Sequence, residues 1–196
     1  MARHSGKDTS FHIVTISASK ATTLQDMHIS WFRLAAADII GGHTAEMLQL
    51  EQCLDSTKYT PRIYVMATTD TLSASKVDPH QTYHIPRSRH VGQDWLTVPW
   101  STLKALLVAF QIIFKTMPDL ILCNGPGSCV PICVAAYIPK ILGIHPIQII
   151  YVESFARVKS LSLTGRLLYP FVDRFLVQWP ELQERYSKAE YRGILV

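Results

Sequence analysis

Acidic residues and clustered charge are both scarce in this chain. Asp and Glu number 15 against 19 Lys and Arg, charged residues total 17%, and the formal charge is +4. No dense Lys/Arg run and no aromatic-basic motif accompanies that mild excess, which argues against nucleic acid. An anionic partner such as a phosphorylated ligand or a phospholipid surface remains compatible with it. Cysteine is sparse too. The four are Cys53, Cys123, Cys129 and Cys133. None has C-x-x-C spacing, and no Cys/His zinc pattern occurs, so no disulfide framework or structural zinc site is indicated. The thiols read as reduced and buried. Cys129 and Cys133 share a helix face and could hold a soft metal, but core packing is the simpler reading and nothing visible requires a metal or a cofactor. The stretch opening MARHSGKDTSFHIVTIS lacks the apolar core and cleavage site of a secretory signal. An unbroken membrane span is likewise missing. Lys104, Gln111 and Lys115 interrupt Leu103–Met117, and Pro139, Lys140, His145 and Pro146 interrupt Cys129–Val152. On this reading membrane contact is interfacial or made through a partner.

What is present is apolar residue, 48% of 196, enough for one domain with a sizeable core. The chain is organised around Pro118–Tyr137, PDLILCNGPGSCVPICVAAY. Leu120-Ile121-Leu122-Cys123 is a short apolar run of the buried-strand type. Asn124-Gly125-Pro126-Gly127 is a turn in which glycine permits positive φ and close approach of a ligand. Ser128 is placed as an N-cap, Pro131 in the first helical turn, and Pro139 as the terminator. A strand, a glycine-rich loop and a helix N-terminus suit a phosphate, although a bare βα connection gives the same pattern.

A second loop-to-helix entry lies at Gly41-Gly42-His43-Thr44, with its helix running to about Cys53. Before it, Leu24, Met27, Trp31 and Leu34 fall at helical spacing. His12–Ile16 and Ala35–Ile40 are the candidate strands of that region, and residues 1–10 read as polar and loose. Residues 1–40 are therefore set apart as an atypical, partly disordered segment, and 41–196 as a single Rossmann-like domain. Strands are expected at Arg62–Thr68, Tyr83–Ile85, Gln148–Val152, Arg174–Gln178 and Arg192–Val196. Helices are expected at Asp70–Lys76, Pro99–Met117, Ser160–Tyr169 and Pro180–Tyr186. Pro99–Met117 has a wide apolar face and a narrow polar stripe of Lys104, Gln111 and Lys115. That pattern fits burial against a sheet or partial insertion at a membrane interface. Strand–helix alternation predicts an α/β fold, a parallel sheet with helices on both faces. Ligands then bind beyond the carboxyl ends of the strands. The loops at 40–44, 86–90, 124–128 and 153–157 all follow predicted strands and should share that edge. Arg87 and Arg89, one residue apart, could clamp a diphosphate or simply be solvated.

Five motifs together resemble a known family: Gly41-Gly42-His43-Thr44, Ile85-Pro86-Arg87-Ser88-Arg89, Cys123-Asn124-Gly125-Pro126-Gly127, Tyr151-Val152-Glu153-Ser154 and Val177-Gln178-Trp179-Pro180. They occur in order over roughly residues 40–196. The family is the asparagine-linked glycosylation protein fourteen group, subunits of a UDP-N-acetylglucosamine transferase. The resemblance implies half of a GT-B glycosyltransferase, similar to the amino-terminal half of the bacterial peptidoglycan N-acetylglucosaminyltransferase. A separate catalytic subunit would bind UDP-N-acetylglucosamine. Together the two would add the second N-acetylglucosamine to a dolichyl-diphosphate-linked acceptor, on the cytosolic face of the endoplasmic reticulum membrane. By the same resemblance, Gly41, Gly42, Thr44, Arg87, Arg89, Asn124, Gly125, Gly127 and Ser128 would meet the acceptor diphosphate or the domain cleft. His43 would be the general base, its ordinary pKa near about 6.5 suiting that work. Glu153 would hold the acceptor sugar or share the base role. Each has a plainer reading, His43 as a capping or core residue and Glu153 as the ion-pair partner of Arg157. The family's usual membrane-spanning start, and its apolar strand into a longer glycine loop, have no counterpart in residues 1–40. Two other readings stay open: a self-contained small α/β enzyme acting on a phosphorylated ligand, and an adaptor that recruits without contributing to catalysis.

Overall fold

The computed structural model describes residues 32–37, 46–47, 49–50, 54, 58–68, 82–88, 96, 98–125 and 127–195. Seven strands form one sheet: β1 (Phe32–Ala37), β2 (Tyr59–Ala67), β3 (Thr82–Ile85), β4 (Leu120–Asn124), β5 (Gln148–Val152), β6 (Arg174–Val177) and β7 (Ala189–Tyr191). Their order is β3-β2-β1-β4-β5-β6-β7, and every pairing is parallel. The helices are α1 (Val98–Thr116), α2 (Cys129–Ile141), α3 (Leu163–Leu168) and α4 (Pro180–Arg185), with helical residues also at Glu46, Met47, Gln49 and Leu50. The predicted helix at Asp70–Lys76 and strand at His12–Ile16 lie outside the described residues.

Both sheet faces are covered, as parallel strands require. On one, Ile121, Cys123, Ile149, Tyr151 and Phe175 pack against Ala105, Ala109, Ile112 and Ile113 of α1 and Ile132, Cys133 and Ala136 of α2. On the other, Leu120, Leu122, Ile150, Val152 and Leu176 meet Met47, Leu50, Leu54 and Leu195. Leu195 at 3% exposure, its N–H bonded to Gln178 Oε1 at 3.2 Å, fixes the carboxyl end to the core.

Several local expectations are corrected. Leu34, placed at helical spacing with Leu24, Met27 and Trp31, belongs to a strand that overlaps the candidate Ala35–Ile40. β1 pairs Leu34 with Arg62 and Leu120 and lies amino-terminal to the boundary drawn at residue 41. Pro139 sits inside α2 instead of ending it. Termination falls to Gly143, whose φ of +68° sets the left-handed turn. There Ile144 N–H donates to the Pro139 carbonyl and Gly143 N–H to Lys140, the paired bonds of a Schellman end. Ser128 is helical itself (φ −77°, ψ −12°), and its side chain caps nothing. The last strand is Ala189–Tyr191, not Arg192–Val196, because Gly193 at φ +84° turns the backbone out of the extended region.

Candidate functional site at the sheet crossover

Strand order reverses between β1 and β4, where the chain leaves in opposite directions across the sheet. That is the place at which a doubly wound sheet opens a crevice at its carboxyl edge. The loops after β3, β4 and β5 all emerge there. β3 stands three strands from β4, so Arg87 and Asn124 are roughly 14 Å apart along the edge. Gly41, Gly42, His43, Thr44 and Arg89 lie outside the described residues.

The β4 loop forms the centre. Gly125 takes φ +81°, a conformation that costs an L side chain energy. A Cβ at Gly127 would meet no atom of the described residues within 4 Å. Asn124, fully buried, donates from Nδ2 to Glu46 Oε2 at 3.0 Å, while its Oδ1 is buried with no partner among the described residues. An unsatisfied buried acceptor is costly and awaits a donor. Glu46 thereby joins the first helical segment to the crossover, a contact that sequence reading missed.

The β3 loop is held by α1. Ser101 and Thr102 donate from their hydroxyls to the Ser88 carbonyl, at 2.7 and 3.3 Å. Arg87 is half-buried and its Nε is buried without a partner among the described residues. A cationic donor set with an open position suits an anion.

Glu153 departs from expectation. It is fully buried at the end of β5, and both oxygens are engaged by the chain. Ser154 N–H donates to Oε1 at 3.0 Å, while the Ser162 N–H and hydroxyl donate to Oε2 at 2.9 and 3.1 Å. Burial raises its carboxyl above the ordinary value, partly opposed by those hydrogen bonds and by the Arg157 charge. Ser162 Oγ also accepts from Gly165 N–H at 2.9 Å, which caps α3. The Tyr151 hydroxyl, itself buried and with its pKa raised chiefly by burial, reaches the Gly125 carbonyl at 3.1 Å and Ser162 Oγ at 3.2 Å. Glu153 is thus built into the scaffold that supports the glycine turn. Gln178 Nε2 donates to the Glu153 carbonyl at 3.2 Å, and Trp179 Nε1 to the Phe155 carbonyl at 2.7 Å. The Val177–Pro180 motif therefore braces the Tyr151–Ser154 motif.

The thiols behave as core. Cys123, Cys129 and Cys133 are buried thiols that form no disulfide among the described residues. Contacts with the other two sulfurs, and then burial, push the Cys123 thiol well above its ordinary value. Among the described residues no cluster of His, Cys, Asp or Glu is placed to hold a metal.

Residues 40–195 match the family model described as "Oligosaccharide biosynthesis protein Alg14 like". This chain belongs to that family. Alg14 relatives align over most of their length. The UDP-N-acetylglucosamine transferase subunit alg14 of Schizosaccharomyces pombe is 50% identical over 167 residues, 79% of this chain and 79% of that protein. The human UDP-N-acetylglucosamine transferase subunit ALG14 is 46% identical over 172 residues, 80% and 79% respectively. Among solved structures, MurG of Acinetobacter baumannii superposes with TM-score 0.57 at 17% identity, covering 81% of this chain and 44% of that one. The structure named "putative UDP-N-acetylglucosamine 2-epimerase from Listeria monocytogenes" gives a TM-score of 0.56 at 12% identity, with 81% of this chain and 42% of that one covered. The Alg14 fold is therefore that of one Rossmann-like half of a GT-B protein. The chain spans less than half the length of these solved neighbours.

Proposed function

We propose that this chain is the acceptor-binding subunit of the transferase that adds the second N-acetylglucosamine to dolichyl-diphosphate-N-acetylglucosamine. In this reading it also recruits the catalytic subunit to the cytosolic face of the endoplasmic reticulum membrane. The observation that carries the reading is the crossover edge: a glycine turn, with a buried Asn124 Oδ1 and a buried Arg87 Nε that have no partner among the described residues, in a chain of the Alg14 family that matches under half of a GT-B neighbour. The acceptor diphosphate is assigned to Arg87, Arg89 and the backbone donors of the two glycine loops, Gly41-Gly42-His43-Thr44 and Asn124–Ser128. His43 takes the proton from the attacking sugar hydroxyl. Glu153, with both oxygens held by Ser154 and Ser162, acts as a positioning residue through Ser162 and Tyr151.

The test is transfer from UDP-N-acetylglucosamine to a short-chain lipid-diphosphate N-acetylglucosamine. Turnover should require both this chain and a catalytic subunit of the family, and His43→Ala should abolish it without loosening the complex. Turnover by the chain alone would replace this reading with the self-contained enzyme. Full turnover by His43→Ala would favour the adaptor. Arg87→Ala should raise the acceptor KM about tenfold or more, the loss of one charge-assisted contact, with partner affinity unchanged.

A further inference from the structure

The carboxyl ends of β5 and β6 carry two aromatic rings. Asn124, Val152 and Leu176 are in register across β4, β5 and β6. Gly127, Phe155 and Trp179 each follow three positions later. The aromatic residues therefore stand one and two strands from the glycine turn, roughly 5 and 10 Å along the edge. Both are held by the chain itself. The Ser154 carbonyl accepts from Arg157 N–H at 3.0 Å and the Ser154 hydroxyl from Ala156 N–H at 3.4 Å, a tight turn with Phe155 at its first corner. Phe155 is consequently 39% exposed, although Glu153 is fully buried. Trp179 gives its one polar group to the Phe155 carbonyl, and the two rings lie 5.1 Å apart at 42°. The buried polar side chains nearby are already committed, Glu153 to Ser154 and Ser162, Gln178 to the Glu153 carbonyl and to Leu195 N–H. What β5 and β6 offer a ligand at this edge is an aromatic surface.

The same two segments line a groove. A cavity of about 400 Å³ is bounded by Lys159 of the 153–162 loop and by Glu181, Glu184 and Arg185 of α4. Arg185 Nη1 donates to the Lys159 carbonyl at 2.7 Å and ties loop to helix. Two cations and two carboxylates cancel, so the groove selects no ion. They set donors beside acceptors, which suits hydroxyl groups, since these donate and accept at once. A pyranose chair has a face of C–H bonds and a rim of hydroxyls. The face fits an aromatic ring, whose own face is electron-rich, and the rim fits such a groove.

We propose that Phe155 and Trp179 seat a neutral pyranose ring, the N-acetylhexosamine of the acceptor, with its hydroxyls directed to the Lys159–Arg185 groove. This rests on the acceptor role proposed above, which puts the diphosphate at the glycine turn, and it names the residues that hold the sugar.

The experiment is saturation-transfer NMR of the full chain with N-acetylglucosamine 1-phosphate, joined to acceptor KM in the transfer assay with the catalytic subunit. Irradiating the protein's aromatic protons should saturate the C–H protons of the sugar ring. Phe155→Leu keeps apolar bulk and loses the aromatic face. With an unchanged melting temperature, it should weaken sugar-phosphate binding and raise acceptor KM about fivefold each. Phe155→Tyr should bind like the parent. Inorganic diphosphate, titrated by calorimetry, should bind the parent and Phe155→Leu alike. Parental sugar binding by folded Phe155→Leu, no saturation of the sugar in the parent, or an equal loss of diphosphate binding would each overturn the proposal. So would loss of affinity for the catalytic subunit with sugar binding unchanged, which would make the pair a protein contact. An inactive parent pair that still binds the sugar through Phe155 counts against the proposed function alone. Transfer by Phe155→Leu at the parental acceptor KM counts against this assignment alone.

Discussion

At Glu153, one carboxylate organises the end of β5, the 153–162 loop and the start of α3. Its Oε2 would lie 2.3 Å from a Cβ placed on Gly165. Gly165→Ala should therefore expel the carboxylate and strand two buried N–H groups. The cost should be about 2–4 kcal/mol in urea denaturation, outweighing the gain of about 1 kcal/mol in helix propensity. The carboxyl also sets a pH dependence. Its folded pKa is raised by burial, so its contribution is full below the ordinary carboxyl value and is lost as pH rises through the folded one. Glu190 runs the other way. Arg174 donates to both its oxygens and holds its carboxyl below the usual value, so that contribution is present above the ordinary pKa and lost as pH falls through the folded one. Glu153→Gln should flatten the decline on the alkaline side, and Glu190→Gln the decline on the acid side, in urea midpoints measured against pH. Little of this was legible in the sequence. Glu153 stood out as a motif residue, but its partners come from one and nine positions on, and only folding brings Ser162 back to it. Asn124 was legible as a turn residue; its bond to Glu46, 78 positions away, was not.

Among the elements, those with a single strong signal were read nearly to their ends. α1 was expected at Pro99–Met117 and spans Val98–Thr116, because a long apolar face with few breakers admits one interpretation. β4, β5 and β6 were read from their apolar runs in the same way. β1 was read only in part: the candidate strand Ala35–Ile40 meets it at Ala35–Ala37, and its start at Phe32 was missed because FRLAAA contains no β-branched residue and alanine suits a helix as well. α2 ran past its expected end because Pro139, lacking an N–H, forgoes only the bond to the Ala135 carbonyl, while its own carbonyl accepts from Ile144 and Gly143 makes the turn. Gly143→Ala should accordingly cost about 1 kcal/mol, seen as a lower urea midpoint with unchanged slope. No atom of the described residues lies within 4 Å of the added methyl, so conformational strain is what is measured.

For the whole molecule, alternation of strand and helix gave the parallel sheet and the shared edge of the loops after β3, β4 and β5. It did not choose between His12–Ile16 and Ala35–Ile40 for the first strand, and it put both outside the domain. β1 occupies the middle of the sheet, bonded to β2 on one side and to β4 on the other. A chain begun at residue 41 would keep every motif yet lack that strand. It should show no cooperative unfolding transition by circular dichroism, where the full chain shows one. The same placement has a meaning in time. During synthesis β1 emerges first among the described strands and meets β2 after about thirty residues. Its other partner, β4, follows only after about ninety, roughly 5–20 s later at ordinary elongation rates. For that interval the backbone at the molecular midline is an open edge, and the seam between the two halves of the sheet cannot close until the glycine turn of the site is itself about to be made.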